Sequence, residues 1–500
     1  MGLNNAGRRL GRQLFAAGLL CVLGLAAAHA QTLRFSNHRE VKIPKYAVLR
    51  IGPFYSSARL SLTTGYMYTD TDGSGTAYIF RNRRGDIRED GSEFPVISTL
   101  QLRNYLLVTR RMDVDMSARV SYEYYPLDTR ESGFYVDLVD EGVLGNISTE
   151  IIFTPYLKGT LYDWFIYRAD YIDTRGLEDR YGGRRYEFIR NGVGFDLDWK
   201  LARDKNVGVS LTRFDEWPQS DTFDERERTS YKERLIYEQE MVRNFVLGAE
   251  VSFEQIDYES DERNDGEIQR YFLFSRYRGG DTDGIAMRLT EASTLTVGVG
   301  YAVAYSLRRG ERSSGDVTEE DDFSRDRNAF TGFVTLETGL RKDLQHMIKA
   351  ERDIYGGFTT AFELVDSLEY RILWEGEVSA ASFFTRYSDV EPAADFTPGY
   401  SDWATGAELR YPLMPYVDLN LLTRYTIRDN DVSDEPVDIL DETEVFDYDT
   451  WVTRAGTSFR VSKEVTFDFY YQHTERYSDS PDLEYSRDLV AALFTYSHEF

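Results

Sequence analysis

LTVGVGYAVAYSL, residues 295–307, runs for thirteen residues without a charge. The chain around it has 500 residues, 85 of them acidic and 58 basic, and a mean hydropathy of −0.47. Leu295, Val297, Val299, Tyr301, Val303, Tyr305 and Leu307 alternate with Thr296, Gly298, Gly300, Ala302, Ala304 and Ser306. Large apolar residues thus fall on one face of a strand and small or polar ones on the other, whereas a helix would scatter them around its circumference. Soluble strands usually span about 3–10 residues. A tilted membrane strand needs about 9–11 to cross the hydrocarbon, plus a margin outside it. The stretch therefore reads as a lipid-spanning strand with Val297, Val299, Tyr301, Val303 and Tyr305 outward. Its small residues face inward, where they leave room for an inward loop or plug.

The N-terminus reads as a targeting segment. Arg8, Arg9 and Arg12 precede LFAAGLLCVLGLAAA, and Ala28-His29-Ala30 supplies a small-x-small cleavage site before Gln31. That is a signal peptide over 1–30, to be set aside from fold reasoning. The single cysteine, Cys21, lies inside it, after Leu20 rather than the small residue that a lipoprotein signal wants. The mature chain then has no cysteine and no disulfide framework. It keeps all 85 acidic residues and 55 of the 58 basic ones, a net charge of about −30. Such a balance excludes nucleic acid, which demands basic patches. Beyond the signal no apolar run approaches the roughly 18 residues of a membrane helix. Tyr (36) and Phe (30) are abundant for so charged a chain, and tyrosine suits a membrane–water boundary, with its apolar ring and wet hydroxyl.

The same alternation recurs to the end. Val114, Met116, Ala118, Val120, Tyr122 and Tyr124 oppose Asp115, Ser117, Arg119, Ser121 and Glu123. Phe245, Leu247, Ala249, Val251 and Phe253 oppose Gly248, Glu250, Ser252 and Glu254, and similar sets lie at 417–428 and 465–472. Connections alternate between short and long. Short ones fall near 110–111, 156–158, 204–205, 242–243, 341–342, 374–375, 413–414 and 462–463, with a longer ninth turn at 279–293. Long ones fall near 71–93, 126–143, 174–184, 215–229, 258–266, 309–328, 389–400, 429–447 and 477–485, and Gly356-Gly357 marks a tighter one. Nine turns between ten outer connections give about twenty strands, within a range of 16–20. Short turns on one side, long loops on the other and antiparallel amphipathic strands describe an all-β, up-and-down transmembrane barrel. Closure is required because lipid leaves no partner for an open sheet edge. A soluble sandwich or propeller would have shorter strands and no such asymmetry. The expected organisation is a signal peptide (1–30), a short periplasmic segment (31–56) and a barrel (57–500) in the bacterial outer membrane.

The chain ends LVAALFTYSHEF, with Phe494, Tyr496 and Phe500 in alternate positions. A closing strand ending in Phe resembles the sorting signal read by the barrel assembly machinery of Gram-negative bacteria; His498 stands where an aromatic is more usual. With the signal peptide and stretches such as RRYEFIRNGVGFDLDWKLARDKNVGVSLTRF (184–214), the mature chain resembles the β-barrel porin 2 group of outer-membrane proteins. That group is characterised by fold more than activity, so the resemblance implies the architecture and little mechanism.

Candidate chemistry is sparse. The mature histidines are His38, His346, His473 and His498. Outer-membrane phospholipases carry a Ser-His-Asn arrangement, which needs a histidine base beside a nucleophile. His473 and His498 sit on the last two strands, but they share the face of Phe467, Tyr471 and Phe494, the lipid boundary. No metal-ligand spacing accompanies any histidine, and no cofactor is expected. DNDVSDEPVDILDETEVFDYD (429–449) holds ten carboxylates and no base. Asp429, Asp431 and Asp434 begin like a calcium loop, yet no glycine takes its sixth position. With 310–327 and 257–266, these acidic loops read as solvated, with diffuse divalent cations tying them to lipopolysaccharide as a softer role. Arg81, Arg83 and Arg84, in FRNRRGDIRED (80–90), either fold into the lumen and favour anions or face outer-leaflet phosphates.

Parity, rather than motif, nominates the lumen: Arg119, Glu123, Glu250, Glu254, Arg410, Asp418, Arg424, Arg454 and Asp468 all alternate with large apolar residues. An arginine facing lipid at the midplane would cost about 2–4 kcal/mol, so many such residues require a wet interior. A barrel of 16–20 strands is wide enough to hold water. The expected function is passive diffusion of small hydrophilic solutes, by a monomer or homo-oligomer. The alternative is export or assembly of an exopolysaccharide, with inner tyrosines such as Tyr470 as sugar platforms. A barrel-embedded lipid hydrolase ranks below both, and the chain is not expected to be an enzyme.

Overall fold

A computed structural model describes residues 49–72, 91–127, 132–138, 145–171, 185–219, 227–242, 244–259, 265–278, 293–307, 327–341, 343–356, 362–376, 378–392, 399–430, 447–478 and 484–499. They form one antiparallel sheet that closes on itself as a barrel of twenty strands. The seam joins the first strand, Phe54–Asp72, to the last, Tyr485–Glu499, in continuous register from Arg59↔Glu499 to Asp72↔Ser486. Three short segments complete the sheet. Leu49–Ile51 folds back on the start of the first strand. Gly91–Glu93 continues Val96–Thr109 beyond the Phe94-Pro95 break, where proline removes a ladder donor. Gly133–Asp137 and Ile147–Thr154 are two halves of one strand, both paired with Met112–Tyr124.

All nine connections at one end are brief except 279–292, and six of them have only two residues, such as 110–111 and 203–204. The ten at the other end include 73–90, 308–326 and 431–447. Two of the two-residue turns are Pro-Tyr, at 155–156 and 415–416, and the other four sit where charged or polar pairs interrupt the apolar alternation, for example Asp204 after Arg203. Asn244 completes another, at φ 69°, a left-handed conformation that asparagine tolerates better than most residues.

One face of the sheet is a continuous apolar surface. Leu161, Val193, Leu247, Leu273, Val299, Leu368 and Leu421 are exposed on it at mid-strand. Tyr66, Tyr122, Tyr231, Tyr387, Trp403 and Trp451 lie toward the long-loop end, and Phe153, Tyr411, Phe459 and Tyr496 toward the short turns. An apolar band between two aromatic girdles is the lipid face of an outer-membrane barrel. The protein is thus a bacterial outer-membrane protein, and the opposite face of every strand lines the lumen.

Candidate functional site: the barrel lumen

The inner wall is built by strand parity and held by ion pairs across neighbouring strands. Arg234 donates to Glu250 at 2.6 Å and Lys158 to Glu150 at 3.2 Å, while Arg276 reaches over the intervening strand Phe245–Tyr258 to lie 2.9 Å from Glu238. Glu216 is almost fully buried between Arg190 (3.0 Å) and Arg228 (3.2 Å). Near the short turns Asp418, equally buried, accepts from Arg410 at 2.9 Å and Arg460 at 3.1 Å. Toward the long loops Arg428 grips Asp402 with two bonds of 2.7 Å. Its guanidinium stacks 4.0 Å from the Tyr400 ring and 5.7 Å from Tyr448, whose ring also lies 3.8 Å from Arg476.

The residues nominated by parity all stand on this face. Arg119 and Glu123 line it from Met112–Tyr124. Glu123 accepts from the Tyr125 hydroxyl at 3.0 Å, and Arg119 lies in register with Gln101. Glu250 and Glu254 do so from Phe245–Tyr258, Arg410 from Tyr400–Met414, Asp418 and Arg424 from Val417–Asn430, and Arg454 from Tyr448–Arg460. Asp468 accepts from Ser458 at 2.6 Å, and Arg454 donates to Gln472 Oε1 at 2.9 and 2.5 Å. Phe494 and Tyr496 lie on the outer face of the last strand, where Phe494 packs 5.1 Å from Phe467. Arg81, Arg83, Arg84 and Phe500 lie outside the described residues, as do the greater parts of the acidic loops.

His473 and His498 lie on the outer face. His473 Nδ1 is 2.8 Å from Asp488 and its Nε2 is 3.8 Å from Glu475, while His498 Nδ1 is 2.5 Å from Glu464. Two carboxylates thus flank the imidazole of His473, and no hydroxyl among the described residues bonds to it.

One quadrant of the lumen is filled. The ladder between Arg327–Arg341 and Leu344–Gly356 ends at Gly332↔Arg352, yet residues 353–356 stay paired with 362–365 up to Gly356↔Phe362. This hairpin leaves the wall and lies against strands Asp265–Arg278 and Ser293–Leu307, which are not its sheet neighbours. Ile354, Phe362 and Leu364, on what would have been its lipid side, are buried with Ile256, Tyr258, Ile268, Ala302, Ala304 and Ala329 from the inner wall. Relative to leaving those three large side chains in water, their burial is worth roughly 5–9 kcal/mol before ordering costs.

Two devices hold the hairpin there. Arg270, its side chain only 6% exposed, bonds Glu254 at 2.9 Å and the Ile354 carbonyl at 2.7 Å, with its Nε 3.3 Å from Asp353. Gly266 admits the Phe362 ring, because a Cβ there would lie 2.8 Å from Phe362 Cε1. Above the gap Arg327 reaches across to strand Ala380–Pro392, donating to the carbonyls of Glu391 and Pro392 at 2.9 and 2.8 Å and to the Glu391 carboxylate.

The stretch 295–307 lies beneath this arrangement and uses its small residues in two ways. Ala302 and Ala304 carry the hairpin, while Gly298 and Gly300 are overlain by Phe333 and Phe272, whose rings meet edge-on 5.9 Å apart. Arg270 and Asp353 were not nominated from sequence. Strand Asp265–Arg278 bears large residues on both faces (Ile268, Phe272 and Phe274 inward, Tyr271 and Leu273 outward), so alternation there does not tell inside from outside. That double-sided apolarity, normal for a strand covered on both faces, was the available signal.

No protein-family model matches the chain, and no curated protein matches it. Solved structures do resemble it. The siderophore receptor PirA of Pseudomonas aeruginosa aligns over 88% of this chain and 80% of its own, at 9% identity and a TM-score of 0.45. OccD3 (OpdP) of P. aeruginosa aligns over 94% and 98%, at 9% identity and 0.38. OmpT of Vibrio cholerae aligns over 90% and 99%, at 9% identity and 0.33. The likeness is one of barrel architecture.

Proposed function

We propose that the barrel is a passive channel for small hydrophilic solutes across the outer membrane. The observation that carries this reading is the wall beside the hairpin, from strand Ala380–Pro392 onward, where charged side chains such as Arg386, Arg424, Arg454 and Glu408 stand exposed on the inner face. Exposed charge on an inner wall requires water, and a barrel of twenty strands has the width to hold it. The inward hairpin takes up part of this space. Purified protein in a planar bilayer should give stepwise ion currents; no current above background overturns the proposal. Export of an exopolysaccharide is the weaker reading. Tyr470 faces the lumen as that role requires, but the Arg454 guanidinium, held by Gln472, lies 5.0 Å over its ring and covers a sugar platform.

A further inference from the structure

The inner face between Ala380 and Ser478 has a charge opposite in sign to that of the chain, which carries −27 overall. Its carboxylates are mostly committed: Asp418 to Arg410 and Arg460, Asp402 to Arg428, and Asp468 to Ser458. Arg476 is buried against the Tyr448 ring, and three exposed arginines remain. Arg386 donates to Ser388 at 3.0 Å, Arg454 to Gln472, and Arg424 makes no hydrogen bond or ion pair among the described residues. All three are exposed, and none has a carboxylate partner among the described residues.

They also share a height. The register row through Arg386 passes Ala404, Thr426 and Thr450. Arg424 lies two residues from that row and Arg454 four, both toward the short-turn end. Strands in such barrels tilt by about 35–45°, so a level line drops by roughly one residue for each strand crossed. The drop has this direction because the registers, followed from the first strand to the last, climb toward the long loops. Arg424 and Arg454 are diagonal neighbours on adjacent strands, close enough for two guanidiniums to hold one anion. Gln472 and the Tyr470 ring fix one edge of Arg454 and leave Nη1 directed elsewhere.

We infer that Arg386, Arg424 and Arg454 form an oxyanion-binding belt that makes the channel select small carboxylates and phosphates over cations. This rests on the reading of the barrel as a pore. Guanidinium suits the task because its forked donors match an oxyanion in two-point contact, which a lysine ammonium does not reproduce. Glu408, exposed on the same wall and without a salt-bridge partner among the described residues, opposes the belt.

The test uses the full purified chain and its R386Q/R424Q/R454Q variant, each checked for the compact folded form on unheated gels. Reversal potentials in a potassium chloride gradient give selectivity, and equilibrium dialysis in detergent gives binding of inorganic phosphate. The belt predicts anion preference in the native protein, a fall on the order of threefold or more in the anion-to-cation permeability ratio of the variant, and loss of phosphate binding. E408Q should move the ratio the other way, and R424K should keep the ion preference while weakening phosphate. Currents with cation preference, or a ratio that the triple change leaves alone, overturn the belt and leave the pore standing. Phosphate binding lost in the variant without any current keeps the oxyanion site and overturns the pore. Neither current nor phosphate binding overturns both.

Discussion

Two quadrants of one wall obey the same alternation and end in different states. From Phe245 to Glu375 the inner face carries Ile256, Ile268, Phe272, Ala302 and Ala304, and a hairpin of the chain lies over much of it. From Ala380 to Ser478 it carries arginines and carboxylates, and nothing among the described residues covers Arg386, Arg424 or Arg454. The difference shows what an inner face says about its lumen. Exposed charge without a carboxylate or cation partner marks wall left to water, whereas apolar and small residues, with a buried and fully paired charge such as Arg270, mark wall covered by another part of the protein. Net charge would not have found either, since the acidic excess lies largely in the loops.

The comparison breaks first at Arg270. Arg270→Ala leaves Glu254 and Asp353 without their shared cation, and removing one partner of a buried pair costs about 3–5 kcal/mol. The hairpin should release, opening the chain to trypsin after Arg352 and raising the single-channel conductance; unchanged cleavage would remove Arg270 from its role as anchor. Val299→Arg, on the lipid side of the same quadrant, should cost about 2–4 kcal/mol, read as a lower urea midpoint or loss of the compact gel form. Gly266→Leu sharpens the picture by displacing Phe362 alone. Overpacking of this kind typically costs about 1–3 kcal/mol, and the variant should share the conductance rise of Arg270→Ala with a smaller loss of stability. In the other quadrant Arg424→Gln touches no partner, so stability in urea should stay within about 0.5 kcal/mol. A large loss there would mean that the open wall is structural after all. Gly300→Ser is less benign than its inward position suggests, because its new Cβ meets the Tyr271 carbonyl and the Phe272 ring.

Much of the fold was legible because a membrane barrel repeats one rule. Alternation placed the faces, turn lengths gave the ends, and nine turns between ten connections counted twenty strands. The site was legible only to the level of facing. Parity puts Arg410, Arg424 and Asp418 on one inner wall but cannot tell that Asp418 is shared with Arg460 while Arg424 goes without, since that depends on the exact register between neighbouring strands, which alternation does not give. The inward hairpin was hidden for a related reason. Ile354 and Leu364 have the parity of lipid-facing residues, and only the departure of their ladder from Gly332 onward reverses what they meet. The alanines at 302 and 304 hinted at a lodger without naming it.

The seam has a consequence in time. Ser57 bonds Glu499 across a separation of 442 residues, and the first strand waits for the last along its whole paired length. Until Tyr485–Glu499 has been made, a row of unpaired amides and carbonyls stays open on each side of the sheet, which hydrocarbon does not tolerate. Insertion therefore cannot keep pace with synthesis. The chain must be delivered whole and still open, and its acidic excess, useless to the wall itself, suits it to remain dissolved on the way.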